Sequence, residues 1–470
     1  MGESIAITLV ESDEISTIGV GEATIPPIQH LNAVIGINEP VFVKATKASI
    51  KLAIRFENWL NKGQSYYHTF SAPGKCIPFC AFHHLWLRAK KLGLDSSLWD
   101  FDLNYNAAIA GKVARIITKD PALEMPYAYH FDAGLYAALL RKTSEQAGVK
   151  RIEGRVMGVA VNSDTGDVES LLLSDGRKVA GEFFIDCSGF KAILLQEQIE
   201  SGFESWGHWL PCDRAVTVAS QRFYSTPPFT RSIAHSAGWQ WQIPLQHRCG
   251  NGLVYSSSHC SYEQACDQLL TNIGSEPLAE PKEIKFNTGR ARNQWHKNVV
   301  GIGLASGFIE PLESTSIHLI QSGVVRLAKL FPYRGEMEHL RNEYNRQSRL
   351  EFEQIRDFII LHYHLNQRSD SAFWQDLRTM SIPDTLARKI ALFRESGAIV
   401  REQNDLFTEA SWLQVMLGQG ITPQNYHPKA DALPEHELNK FMRQLLQGKK
   451  QPIIGMPNHD HFLDRLMAQA

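Results

Sequence analysis

Several features are missing from this 470-residue sequence, and each absence removes a class of protein. No run of about 18 apolar residues occurs, and the N-terminus lacks the charged and apolar regions of a signal peptide, so a soluble, cytoplasmic protein is expected. Net charge is almost absent at -2, with lysine and arginine spread throughout. Neither a nucleic-acid nor a membrane surface is marked, and small molecules are the expected partners. Cysteine is sparse: seven residues at irregular spacing, an odd number that suits reduced thiols better than a disulfide framework. Cys76, Cys80, His83 and His84 fit no zinc spacing well, so no metal is expected. Internal repeats and low-complexity linkers are absent too. What remains is ordinary globular composition, 43% hydrophobic, in a chain long enough for two or three units around a large core.

The most informative lack is at the start. Ile5 to Val10 is a buried-strand pattern closing on Glu11 and Ser12. An acidic residue at such a strand end accepts hydrogen bonds from a ribose diol in dinucleotide-binding folds, where it belongs to the second strand. A first strand with its Gly-x-Gly-x-x-Gly turn should precede it by about twenty residues. Only Met-Gly-Glu-Ser stands before this one, so either the fold is different or the sequence is truncated.

The residues that are present follow in a readable order. Ile18 to Pro27 is a glycine-rich turn containing Gly19, Gly21 and Glu22, followed by a helix-like segment. Residues 44–60 are amphipathic and place Lys51 on a helix whose buried side is Ile50, Ile54, Phe56 and Trp59; a lysine there ordinarily snorkels. Tyr66 to Phe70 is an aromatic cluster that lines a pocket or simply packs. Residues 130–147 read as a helix, Val156–Val161 and Val168–Leu173 as a hairpin, and Phe183 to Gly189 as an apolar strand closing on Asp186 and small residues. This order fits a flavin-binding α/β domain. Residues 215–260 turn to β pattern, with Trp239 and Trp241 on one face of a strand that Pro244 ends. The tail from 346 is mostly helical, with a loop-rich stretch at 396–434 placed to cover a cavity.

One stretch organises the rest. Val299 to Leu304 reads as a buried strand, and Ile317, Ile320, Val324, Leu327 and Phe331 repeat at helical spacing. Between them, Ser314 and Thr315 stand where an N-cap is expected, and Glu313 sits on the rim of the helix N-terminus. Two readings are open: a capped helix start, or an anion pocket beside a carboxylate.

Three blocks, Gly19-Val-Gly-Glu-Ala-Thr24, Trp239-x-Trp241-x-Ile243-Pro244 and Glu310-Pro-Leu-Glu-Ser-Thr315, resemble in order and spacing the flavin-dependent tryptophan halogenase family, over essentially the whole chain from residue 5. The resemblance implies an FAD-dependent monooxygenase-like α/β fold, similar to p-hydroxybenzoate hydroxylase, lacking its first strand, with a C-terminal helical region. Residues 1–345 would form the FAD and halogenation module, with FAD parts roughly at 1–40, 120–200 and 285–335, and 346–470 would cover the substrate pocket. It implies FAD, used as FADH2 from a separate flavin reductase, with chloride or bromide oxidised to hypohalous acid. Lys51 and Glu313 match the catalytic lysine and carboxylate, and the amides of Thr315 and Ser316 match the halide site. Trp239 and Trp241 match a wall along the tunnel, and His68, Phe70 and Trp412 match the substrate pocket. Glu11, Ser12, Gly19, Gly21, Glu22, Val156, Leu304 and Ile317 are expected at the flavin.

Asn404 to Ser411 lacks the paired tyrosines and the carboxylate register that hold free tryptophan in the family. An indole-like or phenolic substrate is expected instead, as in members acting on indole or on undetermined aromatics. A homodimer is left open. The rival readings are an FAD-dependent aromatic monooxygenase of the same fold and a truncated, non-catalytic remnant.

Overall fold

A computed structural model describes residues 5–15, 21–332 and 337–470. Its backbone is organised by a seven-stranded sheet in the order Lys282–Lys285, Arg214–Gln221, Arg248–Tyr255, Gly238–Pro244, Phe229–His235, Ala53–Glu57 and Ser65–Thr69. All neighbours are antiparallel except Phe229–His235 and Ala53–Glu57, which run parallel. The register sets Trp241 opposite Gly252. A Cβ at Gly252 would lie 2.0 Å from the indole, so glycine is what lets Trp241 lie across the sheet.

Against this sheet stand short parallel pairs. Thr8–Glu11 pairs with Lys150–Glu153, and Phe184–Asp186 with Val299–Gly301. Among the described residues no ladder joins the two pairs, so Thr8–Glu11 and Phe184–Asp186 each keep one unpaired edge. The hairpin of Val156–Val161 and Val168–Leu173 forms as the alternation predicts. Residues 130–147 are not helical throughout: Ala128–Phe131 is a strand, and the helix runs Ala133–Gln146, with the Asp132 side chain accepting from the Leu135 amide.

The amphipathic stretch 44–60 is not a helix. The helix Glu39–Ala45 ends at the second residue of this stretch, and Ser49–Lys51 and Ala53–Glu57 are strands. Lysines and arginines at spacings of three and four imitate a helical stripe, but Ile50, Lys51, Leu52 and Ala53 are all 0% exposed. Burial on every side removes the polar face that a surface helix needs. Strand pairing with Ala128–Phe131 then satisfies the backbone.

The C-terminal helices pack on the sheet rather than beside it. The main core joins Ile54, Phe56, Trp59 and Trp239 to Phe358, Trp374, Trp412 and Met442. Each such side chain contributes roughly 1.5–3 kcal/mol on burial, which ties the tail to the sheet. The expected division at 345/346 falls inside the long helix Glu338–His364. Residues 396–434, expected to be loop-rich, include the helix Glu409–Gly418. No helix among the described residues is long and apolar enough to cross a membrane.

Candidate active site

The strand Val299–Gly301 leads through the single turn Gly303–Ala305 and the short strand Gly307–Phe308 into Glu310, a further turn Pro311–Glu313, and the helix Ser316–Lys329. Ser314, between the last two, has left-handed backbone, φ 60°. A non-glycine residue holds that conformation only where its surroundings fix it. Here the Lys51 ammonium or amine donates to Ser314 Oγ at 2.7 Å and to the Thr24 carbonyl at 3.0 Å. Thr315 occupies the N-cap position, but its side chain makes no capping bond. Its Oγ1 is buried without a partner, beside the free amides of the helix start.

Lys51 is 0% exposed. Burial pulls its pKa down to about 7, against the attraction of Glu313. The Phe70 ring lies 5.3 Å from its Nζ. Glu313 is equally buried, but its partners are imidazoles. His68 Nδ1 donates to Oε2 at 2.8 Å, and His362 Nε2 lies 2.8 Å from Oε1 without the alignment of a hydrogen bond. Burial pushes the carboxyl up, yet the two imidazoles beside it, His68 through its charge and hydrogen bond and His362 through its proximity, hold it down at about 2. The other nitrogen of His362 is 2.8 Å from the Tyr66 hydroxyl.

On one side of this turn lies a cavity of about 150 Å³, lined by Gly21, Glu22, Trp239, Trp241, Leu304 and Ser314 among others. The two indoles are 5.9 Å apart. Trp239 Nε1 donates to Glu310 Oε2 at 2.8 Å, and the Tyr363 hydroxyl donates to the same oxygen at 2.6 Å. Burial raises the Glu310 carboxyl to about 7, and burial likewise raises Glu22 to about 7. On the other side, His68 faces Phe358 at 5.7 Å and Phe407 at 6.4 Å. Phe358 stacks on Phe407 at 3.7 Å and meets Trp412 edge-on at 4.8 Å. Lys389 lies 4.4 Å from the Trp412 ring and pairs with Asp405 at 3.0 Å. Ser314 touches both compartments, through the cavity wall and through Lys51.

The sequence-predicted residues therefore divide into groups. Lys51, Glu313, Thr315, Ser316, His68 and Phe70 meet around one turn. Trp239, Trp241, Gly21, Glu22, Leu304 and Ser316 share one cavity wall. Trp412 joins the buried aromatic cluster of Phe358 and Phe407. Glu11, Ser12 and Val156 stand apart, at the parallel strand pair and the hairpin beside it, where Val10 and Val156 pack in one cluster. The Glu11 carboxylate is shared there by Arg141 at 2.7 Å and Arg151 at 2.6 Å. Ile317 packs against the cluster around Ile28, away from the cavity lining. Gly19 lies outside the described residues.

Sequence reasoning did not single out His362 and Tyr363, nor the bond that Ser314 makes to Lys51, and it named Tyr66 only as part of an aromatic cluster. His362 and Tyr363 carry no local signal beyond a polar pair at the end of an apolar helix face.

The cavity and the helix start fit a flat, anionic cofactor with a small anion. An aromatic-walled space opens beside Gly21, and the partnerless Thr315 hydroxyl faces exposed helix amides.

Comparison with known proteins agrees with this geometry. A family described as tryptophan halogenase matches residues 1–435. A flavin-dependent halogenase from Xanthomonas campestris is similar in structure, with TM-score 0.95 and 44% identity over 98% of this chain and 93% of that one. A flavin-dependent halogenase from Brevundimonas sp. BAL3 superimposes with TM-score 0.94 at 42% identity, again over 98% and 93%. The tryptophan 6-halogenase of Streptomyces toxytricini is 34% identical over 417 residues, 83% of this chain and 79% of that protein.

Proposed function

The chain belongs to the tryptophan halogenase family and is a flavin-dependent enzyme of it, and from that premise we propose that it halogenates an uncharged, electron-rich aromatic compound of the indole or phenol type. It would use FADH2 from a separate reductase, oxygen, and chloride or bromide. Reduced flavin bound in the cavity beside Gly21 would, with oxygen as the oxidant, supply the oxidation of halide to hypohalous acid.

The chain's own residues do the rest. The amides of Thr315 and Ser316, with the free Thr315 hydroxyl, hold the halide at a helix N-terminus, where the dipole favours an anion. Trp239 and Trp241 keep a flat organic substrate from the flavin side while a small oxidant passes. Lys51 receives that oxidant; with a pKa near 7, a large share of the amine is neutral and able to act as nucleophile or hydrogen-bond donor. Glu313, kept ionised by its two imidazoles, takes the ring proton after the halogen adds.

The substrate class rests on charge. A free amino-acid carboxylate buried in the pocket needs a cationic or hydrogen-bonding partner. Lys389, the buried cation beside Trp412, is already held by Asp405.

The observation that carries this reading is the single turn from Glu310 to Ser316, which brings Ser314 to Lys51 and Glu313 between His68 and His362. The test is a panel of aromatic compounds incubated with the protein, a flavin reductase and bromide, read by mass spectrometry. The expected result is the bromine isotope doublet on indole-like or phenolic compounds. Oxygenated product formed without halide would favour a monooxygenase, and strong preference for free tryptophan would remove the substrate assignment.

A further inference from the structure

We infer that His459 is a positioning residue for Lys51, a strut from the C-terminal helix that fixes the strand carrying the amine. The inference rests on the reading of Lys51 as the group that receives the halogen.

The strand Ser49–Lys51 lies at the edge of its sheet, with Ala128–Phe131 on one side only. Its outer edge still has an amide to satisfy in the core, because Ile50 is 0% exposed and an unpaired buried N–H is costly. The partner is 409 residues away: the Ile50 N–H donates to His459 Nε2 at 2.9 Å. The other ring nitrogen, Nδ1, is 2.8 Å from the Thr226 carbonyl. A backbone N–H only donates and a carbonyl only accepts. The ring is therefore the neutral tautomer with its proton on Nδ1, and both nitrogens are used. His459 is 1% exposed, and its own amide is anchored to the Gly111 carbonyl at 2.9 Å.

On the far side of Lys51, the Leu52 N–H donates to the Pro228 carbonyl at 2.8 Å. The residues flanking the lysine are thus pinned from one short segment, 226–228, directly at Pro228 and through the imidazole at Thr226. Asp460 clips that segment to the same helix start, accepting from Thr226 Oγ1 at 2.7 Å and from its amide at 3.2 Å. The reach of Lys51 to Ser314 and Thr24 depends on where this strand sits. His459 touches none of the reacting groups, so its effect passes through the backbone.

The experiment compares His459→Leu, which removes both ring bonds, with His459→Gln, which keeps an acceptor near the Nε2 position. Hydrogen exchange at the Ile50 amide is read by fragmentation mass spectrometry, alongside kcat and KM for bromination. The Leu variant should exchange Ile50 about tenfold to a hundredfold faster, with the amides of 355–361 unchanged. Its kcat should fall by up to about a hundredfold through misplacement of the amine, with KM for the aromatic unchanged, and the Gln variant should restore most of both.

Unchanged Ile50 exchange in the Leu variant overturns the strut. Faster exchange with wild-type kcat, where Lys51→Ala is inactive, overturns the effect on the amine. If the Leu variant loses protection throughout the chain, the Gln variant decides: loss of Ile50 protection there overturns the inference. Normal halogenation by Lys51→Ala would instead overturn the reading of the lysine, which the exchange measurement does not depend on.

Discussion

Glu310 and Glu313 lie three residues apart in one turn, both essentially out of water, and their carboxyl groups are driven in opposite directions. Glu310 is raised to about 7, whereas Glu313 is held at about 2. Burial acts on both in the same sense. The difference lies in the partners, which come from consecutive residues of one helix: Tyr363 with Trp239 for Glu310, and His362 with His68 for Glu313. In this turn the two neutral donors do not offset the desolvation of Glu310, whereas the two imidazoles offset that of Glu313. The turn therefore places a carboxyl that titrates near neutrality against Trp239 and an ionised carboxylate against the aromatic cluster of His68, Phe358 and Phe407. Only the second suits a base that must be ionised when a ring proton is released.

The largest effect should come from the amine that both compartments share. Lys51→Ala should lower halogenation by about a thousandfold or more while reductase-driven flavin oxidation continues, as measured by product mass against oxygen uptake. Halogenation above a tenth of wild type would break the assignment. Next comes Glu313→Gln, which keeps the shape and removes the charge. Loss of about a hundredfold to a thousandfold in kcat is expected for a proton acceptor. The same variant should also move Lys51, because the attraction of Glu313 opposes the fall in its pKa.

That attraction gives a third test with a defined sign. The amine is charged below its pKa and neutral above it, so a rate that needs the neutral form rises with pH through about 7 and levels off. Below that point the rate should fall about tenfold per pH unit. In Glu313→Gln the residual rate should level off at lower pH, since the charged amine has lost its counter-ion. A rate that instead falls with rising pH between 6 and 8 would mean that the amine acts in its charged form.

Much of this turn was legible in the sequence because it is local. The strand before it, the helix after it, Glu313 on the rim and the helix amides all fall between Val299 and Lys329, where periodicity and capping rules apply. That Trp239 and Trp241 stand together on one strand was legible too, since alternate residues of a strand share a face. The lysine strand was misread for a physical reason: charges three and four apart form a helical stripe only if they share a solvent-facing side, and here Lys44 and Lys47 are exposed while Lys51 is buried on every side. The partners were not legible at all. His362 reaches Glu313 from 49 positions away, and Lys51 reaches Ser314 across 263 residues. His68 was found only through its likeness to a family position, and its bond to Glu313 spans 245 residues. What sets the two carboxylates apart is thus tertiary, and no window of the sequence contains it.

The smallest effect should separate the two acids by stability rather than by rate. Glu310 has an ordinary carboxyl pKa of 4.5 when unfolded and about 7 when folded. Between those values the native state keeps a proton that the unfolded chain has released, so stability falls as pH rises through this window, and the full penalty persists above pH 7. Glutamine carries no such penalty, and its carbonyl can still accept from Trp239 and Tyr363. Its amide, however, would stand where Glu310 Oε1 has no hydrogen-bond partner, which returns part of the gain. Glu310→Gln should therefore be more stable than wild type at pH 8 by roughly 1–3 kcal/mol, with the difference shrinking toward pH 5, as read from denaturant midpoints. Glu313→Gln should show the reverse sign at pH 8, because a carboxylate held at about 2 contributes stability that is present above its unfolded pKa and lost only as pH falls through 2. If both variants shift stability in the same direction at pH 8, burial alone governs the turn and the partners supplied by His362 and Tyr363 do not distinguish its two acids.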